Sequence, residues 1–157
     1  MDYITYLRSM VGHERVIMVT AGVFVFDEKD RLLLQKRSDN GQWGLPGGFL
    51  ELDEDLQTAA RREVFEETGL KVNGLELFGI YSGPRFNKTF ANGNQVSLVQ
   101  ILFVSRSYTG SVLEQNEESI ENKFYSLKNL PDRIFTDHVE FINDMVTKGS
   151  NGEAEVQ

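Results

Sequence analysis

Three glutamates, Glu63, Glu66 and Glu67, stand at positions i, i+3 and i+4 of the stretch Ala60-Arg61-Arg62-Glu63-Val64-Phe65-Glu66-Glu67-Thr68-Gly69. In a helix that spacing gathers side chains on one side, because successive residues turn by about 100°. With Leu56, Ala59 and Ala60 marking the inward stripe, Glu63 and Glu67 fall near its centre and Glu66 at its edge. An acidic cluster is ordinarily a solvated helix face. Here the geometry opposes that reading: like charges at this spacing repel, and part-burying three carboxylates without a counter-charge is costly. A bound cation removes both penalties. Oxygen-only ligands suit a hard ion such as Mg²⁺, with Mn²⁺ as a substitute, and such an ion commonly bridges to phosphate oxygens. The residues alone therefore point to a metal–phosphate site.

The elements that must position these acids are readable from patterning. The helical pattern runs from Asp53, available as N-cap, to Thr68, with Gly69 just past the end as C-cap. Before it, Trp43-Gly44-Leu45-Pro46-Gly47-Gly48-Phe49 packs a proline and glycines into a shaped loop. Residues 16–27 are rich in β-branched and aromatic types and predict a strand. A polar turn at Asp27-Glu28-Lys29-Asp30 then leads into Arg31–Arg37, read as the return strand of a hairpin that Ser38-Asp39-Asn40-Gly41 ends. Further strands are expected at Leu75–Tyr81, Val96–Val104 and Lys123–Leu127, and a C-terminal helix over Phe135–Val146. Residues 1–149 read as one domain and 150–157 as a polar frayed tail. Strands on both sides of one central helix, with a second helix at the end, predict an α/β fold: a mixed β-sheet sandwiched between helices.

Gly48, Glu54, Arg62, Glu63, Val64, Glu66, Glu67, Gly69 and Leu70 together match G-x5-E-x7-R-E-U-x-E-E-x-G-U, with U aliphatic, at every position. This resembles the signature of the Nudix hydrolases, and the likeness extends over residues 17–145 through the WGLPGG approach and the segment Phe124–Pro131. The resemblance implies a Nudix fold and hydrolysis of a phosphoanhydride bond in a nucleoside diphosphate derivative by water attack on phosphorus. It further implies that Glu63, Glu66 and Glu67 hold Mg²⁺, that the carbonyl of Gly48 often completes the coordination, that Arg62 orients a neighbouring glutamate, and that Glu54 pairs with that arginine. The resemblance also implies that the general base is either Glu63 or an acid of a later loop, which Asn116–Glu121 offers, with Glu118 the first choice there and Glu117 the second.

Other residues carry weaker signals. Arg37 could face phosphates, but a solvated strand-end arginine is the simpler account. Trp43 could stack on a base, yet its place beside the loop favours wall packing. His13 and His138 have no partner at metal-ligand spacing and read as ordinary surface or helix histidines. Pro84 lies close to where ADP-ribose-cleaving relatives carry a proline, a match loose by about a residue. The stretch Phe86–Asn94, with an Asn92-Gly93 turn, reads as a loop bordering the nucleotide pocket.

Bulk properties limit the alternatives. With 40% hydrophobic and 25% charged residues the 157-residue chain has the composition of a globular domain. A formal charge of -8 repels a polyphosphate backbone, so nucleic acid is disfavoured as a partner and a small-molecule nucleotide is expected. The absence of cysteine excludes disulfides, thiolate metal sites and cysteine nucleophiles, and fits a cytoplasmic location. No apolar run reaches membrane-spanning length. A homodimer is left open. The competing function is a non-catalytic Nudix-fold nucleotide-binding or sensing module, which degenerate box residues would favour; here the box is intact. A Nudix-type isomerase would be expected to use histidine or cysteine near the site.

Overall fold

The apolar run at residues 16–25 becomes the central strand β1 (Val16–Val25) in the computed structural model, which describes residues 1–115, 117, 119–148 and the backbone of 155–156. Before it lies α1 (Tyr3–Val11). After it come β2 (Arg31–Arg37), β3 (Trp43–Gly44), β4 (Gly47–Phe49), α2 (Leu56–Thr68), β5 (Lys71–Asn73), β6 (Glu76–Tyr81), β7 (Asn87–Thr89), β8 (Gln95–Ser105), β9 (Ser107–Thr109), β10 (Ser119–Ser126), α3 (Val139–Lys148) and β11 (Glu155–Val156). Single 3₁₀ turns occupy Pro84–Phe86 and Thr136–His138.

The main sheet has the order β11-β6-β8-β1-β4, with β7 also on β8. β1 and β8 run parallel from Val16↔Val96 to Val25↔Ser105, while β6 and β4 are antiparallel to their neighbours. Smaller sheets are β10-β2-β3 and β5-β9. The period-2 alternation of side chains decides what covers each face. Ala21, Val23 and Val25 of β1 and Ile101 and Phe103 of β8 pack with Ala59, Ala60 and Val64 of α2. The intervening residues Phe24, Leu102 and Val104 pack with Phe141, Ile142 and Met145 of α3. The sheet is buried on both sides, which is why its strands read as unbroken apolar runs. This is the sandwich that the element order predicts.

Several boundaries differ from expectation. β1 and β2 do not form a hairpin: they share only the Phe26↔Leu32 bridge and then enter different sheets. The turn itself is rigid, since the Asp27 carboxylate accepts from the backbone N–H groups of Lys29 (3.0 Å) and Arg31 (2.9 Å) and from Arg31 Nε (2.8 Å). Both strands are apolar on two faces, so each is covered by its own partners rather than by the other. The central helix begins at Leu56 with Asp55 as N-cap, its carboxylate accepting from Thr58 N at 2.7 Å. Asp53 is instead a turn residue at φ 62°, because Glu54 turns its carboxylate back to accept from Glu51 N (3.1 Å) and closes residues 51–54 into a separate turn. Gly69 is the left-handed C-cap, at φ 80°.

Helix α1, which the sequence reading did not identify, is capped by Asp2 on Thr5 N (2.9 Å) and lays Tyr3, Ile4 and Leu7 against Met18, Val96 and Leu98. Part of the expected loop at 86–94 is strand β7, which ends in the turn at Gly93. Of the expected frayed tail, Glu155 and Val156 pair in parallel with Gly79 and Ile80; the rest lies outside the described residues. Among the described residues no helix is long and apolar enough to cross a membrane.

Candidate active site

The site is built where the glycine strand β4 meets α2. Gly47 and Gly48 pair antiparallel with Gly22 and Ala21 of β1. At Gly47 a side chain would meet backbone, and at Gly48 it would meet the end of the Glu63 side chain. A Cβ on Gly47 would lie 2.7 Å from Ala21 O and from Gly22 Cα, and one on Gly48 would lie 2.4 Å from the Glu63 carboxyl carbon. The two glycines therefore let the backbone approach the acids of α2 directly.

Each acid has its own setting. Glu63 is held at its base by Arg62, whose Nη1 donates to Oε1 at 2.7 Å. Glu67 is buried, and its Oε2 accepts from Gly47 N (3.0 Å) and from Gln35 Nε2 (3.0 Å). Asn122, directly across from Gln35 in the β2–β10 register, donates through Nδ2 to the Glu67 carbonyl at 3.2 Å. Glu66, expected at the edge of the stripe, stands apart from the other two. Its side chain is 57% exposed and only approaches Arg62 Nη1, at 3.5 Å. The edge of the predicted stripe thus lies outside the packed face, because Val64 and Thr68 fill the space beneath the helix. Phe65 is exposed, as its position opposite the stripe requires.

Arg62 is the hinge of the arrangement. Its Nε and Nη2 donate to the two oxygens of Glu54 at 2.7 and 2.9 Å, and Nη2 also reaches Phe49 O at 3.1 Å. One guanidinium thereby ties the turn before the helix, the end of β4 and the Glu63 carboxylate together. The bonds from Arg62 hold the Glu54 carboxyl below its usual range, and in return Glu54 and Glu63 raise the already high pKa of Arg62.

No three carboxylate or imidazole groups among the described residues converge at ligand distance. The chemistry of the donor set nevertheless fits a hard divalent ion. It is oxygen-only, and the Gly48 position that a Cβ would fill keeps backbone and carboxylate in contact. Gly48, Glu63 and Glu67 are brought together. Glu66 is exposed, so reorienting it disturbs no packing. Glu118 lies outside the described residues, while Glu117 is exposed, its carbonyl accepting from Ser38 Oγ at 3.3 Å.

Two neighbouring cavities share a lining residue, and the smaller borders the glycines of β4. One of about 100 Å³ is bounded by Gly22, Arg37, Leu45, Gly47, Gly48 and His138, and Gln100 belongs to its wall. The other, about 310 Å³, is lined by Gln100, Arg85, Phe86, Lys88, Asp137 and Glu140. Buried Gln100 lines both, so the smaller cavity, at the glycines, neighbours the larger one, at β7. Within the larger one, Lys88 pairs with Asp137 and Arg85 approaches Glu140 at 3.4 Å.

Two simple readings of single residues do not hold. Arg37 is not merely a solvated strand end: it stacks over Phe135 at 4.1 Å, pairs with Asp39 and lines the smaller cavity. His138 is no ordinary surface histidine, since its Nδ1 accepts from Leu45 N at 3.0 Å across 93 residues of sequence. Burial, with Arg37 adding to it, pushes its pKa down to about 3. No short-range signal announces such a contact. Trp43 is a wall residue, buried edge-on against Tyr125 at 5.1 Å.

A family model described as NUDIX domain matches residues 16–145. An ADP-ribose pyrophosphatase of Methanocaldococcus jannaschii is 37% identical over 123 residues, covering 76% of this chain and 68% of the relative. A Bacillus subtilis protein named provisionally as an 8-oxo-dGTP diphosphatase is 32% identical over 129 residues, covering 81% of this chain and 80% of its own. Among solved structures, the MutT protein of Methanosarcina mazei superposes with a TM-score of 0.70 at 24% identity, over 88% of this chain and 99% of the other, a likeness of fold.

Proposed function

The chain belongs to the Nudix family and is a pyrophosphohydrolase, and from that premise we propose that it is a Mg²⁺-dependent enzyme cleaving the phosphoanhydride bond of a small nucleoside diphosphate derivative. The observation that carries this reading is the shared glycine edge. Gly48 touches the Glu63 carboxylate and also borders the smaller cavity, which shares Gln100 with the 310 Å³ one. A nucleotide with its nucleoside in the larger cavity has its phosphates beside the acidic helix.

The residues that would hold the ion are Glu63, Glu67, Glu66 and the Gly48 carbonyl. When bound, it supplies Lewis-acid polarisation of the phosphate and lowers the pKa of an attacking water. The protein's own contribution is positional. Gly47 N and Gln35 fix one oxygen of Glu67, and Arg62 fixes Glu63, so the two acids are set before substrate arrives. Glu63 and Glu118 are the candidates for the base that accepts the proton of the attacking water.

ADP-ribose is the first substrate to test, on the strength of the 37% identical relative; an oxidised nucleoside triphosphate is the second, on the Bacillus relative. An intact acidic helix supports turnover over a purely sensing role. The experiment is a panel of both substrate classes with Mg²⁺ or Mn²⁺ and mass identification of products. Cleavage between phosphates is expected; complete inertness across the panel would favour the sensing module.

A further inference from the structure

The smaller cavity, of about 100 Å³, has no carboxylate in its lining, although the chain carries a formal charge of -8. Its polar side chains are those of Arg37, Gln100, His138 and Thr20. Arg37 binds Asp39 through Nε and Nη2 at 3.0 and 2.9 Å, which leaves Nη1 outside that pair. A space of this size is too small for a nucleoside and suits a phosphoryl group.

His138 is fixed in the cavity wall. The Nδ1 atom accepts from Leu45 N at 3.0 Å, so it carries no proton, and a neutral ring must then carry its proton on Nε2. The ring is packed against Gly44, where a Cβ would fall 2.9 Å from Nδ1, and lies edge-on to Phe135 at 4.8 Å. The same Phe135 ring carries the Arg37 guanidinium at 4.1 Å, so one aromatic side chain sets both groups. The segment is pinned in turn by Phe135 N donating to Trp43 O at 2.7 Å. Nε2 makes no hydrogen bond among the described residues. A purely structural histidine would need only the Leu45 contact; an N–H donor beside a guanidinium in a cavity without acids calls for an acceptor oxygen.

We propose that His138 is a substrate-binding residue whose neutral Nε2–H, together with Arg37, holds a non-bridging phosphoryl oxygen of the nucleotide in the cavity beside Gly47 and Gly48. The assignment rests on the nucleotide-hydrolase reading above. A neutral donor adds a hydrogen bond there without adding a second charge beside Arg37.

Two measurements test it. In the protein with nitrogen-15-labelled histidine and no added divalent metal, Nε2 should appear as the protonated nitrogen. Its resonance should move on titration with inorganic phosphate but not with adenosine. The His138→Asn variant can still accept from Leu45 N through Oδ1, while its Nδ2–H donors, on the shorter side chain, no longer reach the position of Nε2. It should fold, bind phosphate at least about fivefold more weakly and raise KM about tenfold with kcat within about twofold. An Nε2 resonance indifferent to phosphate, or responsive to adenosine alone, overturns the proposal, as does phosphate binding by His138→Asn equal to wild type. Should that variant fail to fold, the wild-type titration decides alone. Failure of the hydrolase reading looks different: wild type would be inert on every substrate, while the phosphate titration would still report on His138.

Discussion

Gly48 and Glu63 are in contact: a Cβ on the glycine would stand 2.4 Å from the carboxyl carbon and 2.5 and 2.6 Å from the two oxygens. The space where a side chain would begin is filled by the acid. Gly48→Ala therefore forces the end of a flexible glutamate side chain to move, with no backbone clash at that position. We expect kcat to fall by about two orders of magnitude, roughly 3 kcal/mol of barrier, while the melting temperature changes little. Steady-state kinetics beside calorimetry read both. A stable variant of undiminished kcat would show that this contact is incidental.

On α2 itself, chemistry and scaffold separate by face. Glu63→Gln and Glu67→Gln remove charge while keeping shape, and each should lower kcat by about a hundredfold or more. Glu67→Gln should also lose some stability, because the buried oxygen that accepts from Gln35 and Gly47 loses its charge. Phe65→Ala, on the exposed side, should leave kcat alone, and Gln57→Ala should be near neutral for both. Equal losses at Gln57 and Glu63 would remove the catalytic face from this helix.

The contrast between these residues also marks how far the sequence could be read. Glu63 and Glu67 are one helical turn apart, so their common side follows from periodicity, as does the left-handed cap at Gly69. The strands were legible as apolar runs, but which strand pairs with which was not. The separation of β1 from β2 depends on β8 and β10, which come 70 or more residues later, and no local pattern carries that information. Asp53 and Asp55 are both chemically suitable caps; only the backward bond from Glu54 to Glu51 decides between them. Glu66, at the edge of the stripe, lies outside the packed face, and a wheel drawn from the sequence does not show which neighbours fill the space beneath the helix. Gln35, Asn122 and His138 meet the site across 32, 55 and 93 residues, and their roles exist only in three dimensions.

Metal binding should be visible apart from turnover. Glu63, Glu66 and Glu67 share one stretch of α2, where like charges at i,i+3 and i,i+4 oppose one another. A cation that binds only this assembled arrangement stabilises the folded chain by mass action. Adding Mg²⁺ to saturation should raise Tm by a few degrees, on the order of 1–2 kcal/mol. Glu67→Gln should shrink that increment, and excess chelator should abolish turnover. Full activity in chelator would exclude the proposed ion chemistry.

The Glu54–Arg62 pair gives a prediction in pH. Two bonds from Arg62, at 2.7 and 2.9 Å, lower the Glu54 pKa from its usual 4.5. The folded state thus holds the ionised carboxylate more strongly than the unfolded chain does. Its contribution to stability is complete above about pH 4.5 and is lost as the pH falls through the folded value. Glu54→Gln should be less stable than wild type by about 1–3 kcal/mol at pH 7, the range for a hydrogen bond to a charged group. The difference should narrow below pH 4.5, where wild type gives up the same interaction. Arg62 also holds Glu63, so the variant should lose activity at neutral pH, in parallel with the loosened guanidinium. Urea titrations of both proteins from pH 3 to pH 7 measure this gap directly. A difference in stability that stayed constant across that interval would mean that the pair does not stabilise the fold through the charge on Glu54.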